Sequence, residues 1–300
     1  MNIKRYFQNP WRILARPMYS GWFDFLSDKQ YLRLVYHIKM GKKLNLDSPK
    51  TFNEKIQWLK LYDRKPIYTD MVDKIKAKEY VASLIGKEYI IPTIATYDNP
   101  DQIDFNVLPN QFVLKCNHGC GDMCICADKT KIDLDKVRKT LWDGMRHDYY
   151  MQWREWPYKD VERRIICEQY MVDESGYELK DYKFFCFNGK PEFLFVATDR
   201  QLKGEETKFD FFDMNFNHLP ITNGHPNNPH GVKKPIGFEK MKELAAVLSE
   251  GIPHLRVDFY NINGHIYFGE LTFSHWSGLT PFSPEEWDLR FGELIKLPNL

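Results

Sequence analysis

The chain has 300 residues, 43% hydrophobic and 28% charged, which fits two folded domains, or one with a sizeable extra lobe, and excludes global disorder. Forty-two Lys and Arg against 41 Asp and Glu give a formal charge of +1, too small a basic excess for a general nucleic-acid binder. With no apolar run of about eighteen residues, no membrane-spanning helix is expected.

Residues 1–20 lack the apolar region and cleavage site of a secretory signal. They carry Lys4, Arg5, Arg12 and Arg16 without an acid, among Tyr6, Phe7, Trp11, Ile13 and Leu14. That mixture suits peripheral contact with anionic lipid, or a terminal arm packed on the protein's own body. Residues 27–46 read as helical, with Leu32, Val35, Tyr36 and Lys39 on one face and Gly41 stopping the run. Thr51 and Glu54 make a capping box that opens a helix through Ile56, Leu59 and Leu61. A further helix is expected from about 71 to 85, ended by Gly86, then a strand over 89–94 and a turn at Asn99-Pro100.

From Gln111 the pattern changes to short strands. Phe112 to Lys115 is a strand, residues 118–121 a glycine-bearing loop and 124–127 the return strand. A helix over 134–150 follows, capped by Asp133. Strands are expected over 165–170, 181–187 and 192–197, the last two joined by Asn188-Gly189, a strong two-residue hairpin signal. After a loop over 215–236 and a helix over 238–250 comes a final hairpin, 256–272. The class is α+β, with a helical N-terminal third and a sheet-rich remainder.

Four of the six cysteines, Cys116, Cys120, Cys124 and Cys126, fall within eleven residues around His118; Cys167 and Cys186 are the others. Their spacing lacks the paired knuckles of structural zinc sites, so free thiols in a reducing cytoplasm are the better expectation than zinc or an iron–sulfur cluster.

The last hairpin carries the most chemistry. A two-residue turn at Asn263-Gly264 would point Asp258 and Glu270 to opposite faces. A three-residue turn, 262–264, would set Arg256 opposite Glu270, with Asp258 beside it. Side-chain chemistry favours the second, because it gathers Val257, Phe259, Leu271 and Phe273 on an apolar face. Arg256, Asp258, Glu270 and Thr272 are left on the other face, where two carboxylates and a hydroxyl form an oxygen-ligand site suited to magnesium, or an Arg–Asp–Glu salt-bridge ladder. Lys115 leads into a loop whose glycines let backbone amides approach phosphate. Asp181 and Lys183 share a strand face, and Glu168 is a charge inside an apolar strand that needs a partner.

In this order, with an earlier Asp73-Lys74, the pieces resemble the ATP-grasp superfamily. The stretches 49–58, 109–119 and 269–273 resemble its TupA-like (teichuronopeptide-biosynthesis-like) subgroup from capsular and surface polysaccharide clusters, and the likeness covers roughly residues 28–290. It implies an ATP-grasp fold, two α+β subdomains gripping ATP, with a helical lobe over 1–70, a first subdomain over 71–167 and a second over 168–300. It implies that Lys74 and Lys115 contact ATP phosphates, and that the loop with His118, Gly119 and Gly121 closes over them. Glu168 and the backbone at Tyr170 would read adenine, and Asp181 the ribose. Lys183 would reach phosphate or substrate, Asp258 and Glu270 would bridge magnesium, and Arg256 would stabilise the transferring phosphoryl group. Thr272 stands where many relatives carry Asn, Cys120 where Ser is expected, and Asp122 is expected to point outward.

The implied activity is an ATP- and magnesium-dependent carboxylate–amine ligase. It would act through an acyl phosphate and amidate a sugar acid such as a hexuronic acid, free or lipid-linked, with an amino acid or amine. It would work in the cytoplasm, beside the membrane, with residues 233–238 and the segment of His275, Trp276, Phe282 and Trp287 shaping the acceptor pocket. Two other readings stand beside it. A glycosyltransferase would need a metal-binding Asp-x-Asp, for which only Asp133-Leu-Asp135 offers itself. A non-catalytic binding module would have little use for Lys115, Asp258 and Glu270 together.

Overall fold

In the computed structural model, which describes residues 21–200 and 204–299, local sequence sets most element starts. Helix α1 (Asp28–Met40) opens on a capping box from Ser27 and Gln30, and Gly41 ends it in the left-handed conformation. Helix α2 (Phe52–Tyr62) opens on the expected box of Thr51 and Glu54. The single helix expected over 71–85 is instead two, α3 (Ile67–Val72) and α4 (Lys76–Ile85). Asp73 Oδ1 accepts from the Ile75 amide at 2.8 Å, and the Lys74 amide turns away to Asn117 O at 3.1 Å. An Asp at that position competes with the helix for backbone donors, and here it wins.

Strand β1 (Thr93–Tyr97) starts later than expected, because Lys87–Tyr89 forms a tight helical turn. β2 (Phe112–Cys116), β3 (Met123–Cys126) and β4 (Ile165–Gln169) join it in a four-stranded sheet, order β1-β4-β2-β3. Between β3 and β4 the helix expected over 134–150 is broken into α5 (Leu134–Arg146), capped by Asp133, and α6 (Tyr149–Trp153), capped by Asp148. One face of this sheet packs on α5: Phe112, Leu114, Cys116, Cys126 and Cys167 meet Val137 and Leu141. Three cysteines of the sequence cluster and its neighbour strand are therefore core side chains. Among the described residues all six are free thiols, and no group of three or more His, Cys, Asp or Glu is arranged around a metal position. No helix among those residues is long and apolar enough to cross a membrane, and the membrane-contact expectation for residues 1–20 lies outside them.

The second sheet has β5 (Asp181–Phe187), β6 (Lys190–Thr198), β7 (Lys208–Asp213), β8 (His218–Leu219), β9 (Leu255–Ile262) and β10 (His265–Thr272), ordered β10-β9-β5-β6-β7-β8. Asn188 and Gly189, both at positive φ, make the β5–β6 turn as expected. One face buries Phe184, Val196, Val257, Phe259 and Leu271 against α4 and α7 (Phe238–Leu248). The other face divides along β5. Phe185 and Phe187 pack with Phe52 and Ile56 of α2 and with Phe291 of α8 (Glu286–Leu294), while Asp181 and Lys183 continue the same face as buried charge. That charged half, facing the bare side of the first sheet, is where a site must lie.

Candidate active site

Alternation along β9 puts Arg256, Asp258 and Tyr260 on the charged face and Val257 and Phe259 in the core. The hairpin turn is the two-residue one: Ile262 pairs with His265, and Asn263 (φ 53°) and Gly264 (φ 91°) form it. The three-residue turn favoured from sequence is thus incorrect, yet Asp258 and Glu270 do share a face. The reason is a β-bulge at Gly269, the extra residue between the pairs Phe268–Phe259 and Glu270–Asp258. It restores the facing that a regular two-residue hairpin would have lost. It also sets Thr272, not Glu270, opposite Arg256. A Cβ on Gly269 would come within 3.0 Å of Asp258 O, so the bulge needs glycine for the close approach.

Across three strands the pairing Lys183–Asp258–Glu270 forms a row. Asp258, fully buried, is held by Arg256 (2.7 Å to each oxygen) and by a short contact to Lys183 Nζ. Arg256 Nη2 also donates to Glu270 Oε1 at 2.8 Å, so both carboxylates converge on one cationic nitrogen. Burial alone would raise the Glu270 carboxyl, but the charges of Lys183, Arg256, Lys74 and Lys115 outweigh it and hold it well below the usual carboxylate range. Arg256 Nη1 donates to His275 Nδ1 at 2.9 Å. Guanidinium can only donate, so this imidazole is neutral with its proton on Nε2, which donates to Asn223 Oδ1 at 2.8 Å. His275, which the sequence placed only in the segment shaping the acceptor pocket, therefore aims the arginine.

Lys115 and Glu168 lie on the bare face of the first sheet. Glu168, 4% exposed, pairs with Lys115 and Lys78 at 2.5 Å each. Its carboxyl, which burial would raise, is held low by those two ammonium groups. Lys78 was missed in the sequence, although it lies four residues beyond Lys74 in the stretch that reads as one helix. Lys115, Glu168, Tyr170, Met123 and Ile125 line a pocket of about 210 Å³ that Tyr260 and Arg200 close from the second sheet. Asp181 is 1% exposed and held by Arg200 and Lys183.

Lys74 Nζ donates to Gly119 O at 2.5 Å, and the loop root is pinned by Asn117 Nδ2 on Asp73 Oδ1 at 2.9 Å. Gly121 is exposed at the loop tip with φ 96°. His118 is 3% exposed and lines neither the small pocket nor the larger cavity. Asp122 does not point outward: it packs on Gly144 and lines the larger cavity.

Burial lowers His118 to about 4 and His254 to about 3. A folded-state value below the unfolded one means that protons favour the unfolded chain once the pH drops under about 6.5. We expect urea-unfolding stability to fall between pH 6.5 and 4, each of the two groups contributing roughly 2 kcal/mol by pH 5, and a His118→Asn variant to show a shallower loss.

The larger cavity, about 870 Å³, is lined by Gly119, Lys183, Arg256, Glu270 and Thr272 and by aromatic side chains including Trp153, Phe209 and Trp276. Its wall is braced from α2. Lys60, 4% exposed, donates to Ser277 O and Oγ at 2.7 Å and to Trp153 O, and Gln57 Nε2 donates to Ser277 O and Gly278 O at 2.9 and 2.8 Å. Asn53, Gln57 and Lys60, spaced i, i+4, i+7, were the readable signal for this contact, a polar stripe on a helix otherwise buried by its apolar side chains. Lys60→Met leaves buried oxygens without donors and should lower stability by about 2–4 kcal/mol, read from urea or thermal unfolding.

The family described as TupA-like ATPgrasp matches residues 54–296. No curated protein matches the chain. Among solved structures it is similar to the ATP-grasp ligase PsnB complexed with a minimal precursor (8% identity, TM-score 0.42, 75% of this chain and 61% of that one). It is also similar to D-alanine–D-alanine ligase from Helicobacter pylori (14%, 0.40, 82% and 69%) and to D-cycloserine synthetase DcsG (14%, 0.41, 76% and 70%). The chain thus spans about three fifths of the length of the PsnB chain. With most of its length matched, from the capped helix α2 to the end of α8, the chain belongs to the TupA-like ATP-grasp family.

Proposed function

We propose that this ATP-grasp ligase activates the carboxylate of a sugar acid, a hexuronic acid of surface-polysaccharide assembly, with ATP and joins it to an amino acid or amine. One observation carries the reading: Lys183, Arg256 and Glu270, which gather around Asp258, line a large aromatic-walled cavity, and Arg200 borders both that cavity and a small apolar-edged pocket. The small pocket fits adenine, read by Glu168 and the Tyr170 backbone, with Asp181 at the ribose. Both Glu168 oxygens are engaged by lysines, but each keeps a lone pair for the adenine amino group. Lys74 and Lys115 neutralise phosphates under the loop of Gly119 and Gly121. The large cavity fits the saccharide, whose rings stack on aromatic faces.

Asp258 and Glu270 fit magnesium. They are hard oxygen donors, they already converge on one cationic nitrogen of Arg256, and two protein ligands leave the remaining positions to phosphate oxygens and water. Thr272 Oγ1, 3.2 Å from Glu270 Oε1, would hold that carboxylate rather than ligate strongly. The metal, when bound, neutralises phosphate charge. The substrate carboxylate oxygen attacks the γ-phosphorus and ADP leaves, giving an acyl phosphate; Arg256 and Lys183 stabilise the transferring group. The amine then attacks the acyl carbon and inorganic phosphate departs.

The glycosyltransferase reading loses its only Asp-x-Asp, because Asp133 caps α5 by accepting from the Lys136 amide at 3.0 Å. The test is isothermal titration with a non-hydrolysable ATP analogue, with and without magnesium and against UDP-sugars, followed by uronic-acid-dependent ADP release. Magnesium-dependent binding unaffected by UDP-sugars supports the ligase, and binding of a UDP-sugar alone sinks it. A cytoplasmic position beside lipid-linked saccharide belongs to the same proposal and is tested by cell fractionation.

A further inference from the structure

The large cavity holds a second buried acid that the phosphoryl chemistry above does not use. Glu155, directly after the left-handed C-cap Arg154 of α6, is 3% exposed and lines the cavity together with Arg256, Glu270 and Thr272. Lys60 acts on it electrostatically, but the Lys60 ammonium directs its hydrogens to Gln57 Oε1, Trp153 O and Ser277. The Ser277 hydroxyl, which accepts from Lys60, favours the charged form of Glu155. A buried carboxylate with one hydroxyl beside it at a cavity wall still has room for a cationic donor.

Burial pushes the Glu155 carboxyl up, against the charge of Lys60, the Ser277 hydroxyl and the charge of Arg256. Of the other acids of that wall, Asp122 is raised by burial and responds to His147, Asp143 and Lys74. Glu155 shares the wall with Arg256 and Glu270, whose charges act on it.

Its support is built with unusual care. Trp276 (φ 48°, ψ 29°) and Ser277 (φ 57°, ψ 16°) are consecutive non-glycine residues in the left-handed region. Such strain persists only where the surroundings over-determine it, and it gathers at functional sites. Here the four hydrogen bonds from Lys60 and Gln57 hold the turn, and with it the Ser277 hydroxyl.

We infer that Glu155 binds the ammonium group of the attacking nucleophile, an amino acid, and takes one of its protons; this rests on the ligase reading above. The mixture of charges on the wall, Lys39, Lys183, Arg200 and Arg256 with Asp122, Glu155 and Glu270, suits a zwitterion better than a simple alkylamine. In the step, R–NH3⁺ gives one proton to Glu155, and the freed lone pair attacks the acyl-phosphate carbon. The C–N bond forms, the C–O bond to phosphate breaks, and the second nitrogen proton leaves on the phosphate as HPO4²⁻. Glu155 returns its proton to water.

The first arm of the test is binding. Each of the common amino acids is titrated into the full chain in the presence of ADP and magnesium. At least one should bind, and Glu155→Gln should weaken that binding about 10- to 100-fold, the loss expected for a charged hydrogen bond, with ADP affinity unchanged. Ser277→Ala should weaken it by a smaller factor and serves if the first variant does not fold. The second arm uses D-glucuronate, ATP and magnesium with hydroxylamine, a nucleophile uncharged at neutral pH. Glu155→Gln should keep hydroxamate formation while conjugation to the bound amino acid falls by about 10² or more, as for loss of a general base.

No amino acid binding to the wild-type chain, or equal affinity for the variant, overturns the inference. So do parallel losses of hydroxamate and conjugate. Wild-type protein that binds an amino acid through Glu155 yet makes no hydroxamate from glucuronate would instead sink the sugar-acid reading and leave the Glu155 assignment standing.

Discussion

Glu270→Gln is expected to lower ATP-dependent turnover by about 10³-fold while leaving the fold intact, an effect of the size seen when one preorganised charge-stabilising group is removed. The substitution keeps shape and hydrogen-bond reach, so Arg256 Nη2 and Thr272 Oγ1 still find an oxygen. It removes the charge that Lys183, Arg256, Lys74 and Lys115 surround, so one of the two hard ligands proposed for magnesium becomes a neutral amide. ADP release, circular dichroism and nucleotide titration with and without magnesium check it. The wild type should bind the ATP analogue more tightly with magnesium and the variant should show little difference. Full activity in the variant would end the metal-site reading.

Gly269→Val should have the second large effect, and on binding as well as turnover, because a side chain there would meet Asp258 O at 3.0 Å and oppose the bulge while residue 269 stays in the strand. Without the bulge, the turn at Asn263-Gly264 would impose regular pairing on β10, and Glu270 and Thr272 would exchange faces with Leu271. A carboxylate would then point toward Val257 and Phe259, and a leucine into the charged site. The chain resists this by misfolding the hairpin end or by burying an unpaired charge, so stability should drop by several kcal/mol, on the order of 3–5. Unfolding by urea and titration with the ATP analogue measure the two losses. A Gly269→Val variant with wild-type affinity would show that the bulge does not set the position of Glu270.

The difference between expected and observed hairpins shows what a sequence can and cannot specify. The alternation of Arg256, Asp258, Glu270 and Thr272 with Val257, Phe259, Leu271 and Phe273 demanded that the two carboxylates share a face, because the apolar set had to reach the core. That demand was met. How it was met depended on where one extra residue could be absorbed, and Gly269 could absorb it because its backbone lies against Asp258.

The break at Asp73 has the same character. Periodicity over 71–85 reports which side chains face inward. The competition between a helical hydrogen bond and the Asn117 carbonyl involves a residue some forty positions away and leaves no local trace. Lys78, at helical spacing from Lys74, was within reach of inspection; Glu155 was not. The role proposed for it rests on surroundings, Ser277 and Lys60, that come from distant parts of the chain.

By itself the sequence determined the α+β class, the helix caps at Thr51 and Asp133, the Asn188-Gly189 turn, and the set of charged residues that must find partners if buried. Those follow from local propensity, side-chain period and the cost of burying charge, all of which act through neighbours in the chain. The tertiary structure decided which charges meet: the Lys183–Asp258–Glu270 row, the Lys78 and Lys115 grip on Glu168, and the histidine that aims Arg256. Each of these pairs closes a loop of many residues, and the chain adopts them only because packed sheets and helices bring their ends together and exclude the water that would otherwise solvate them.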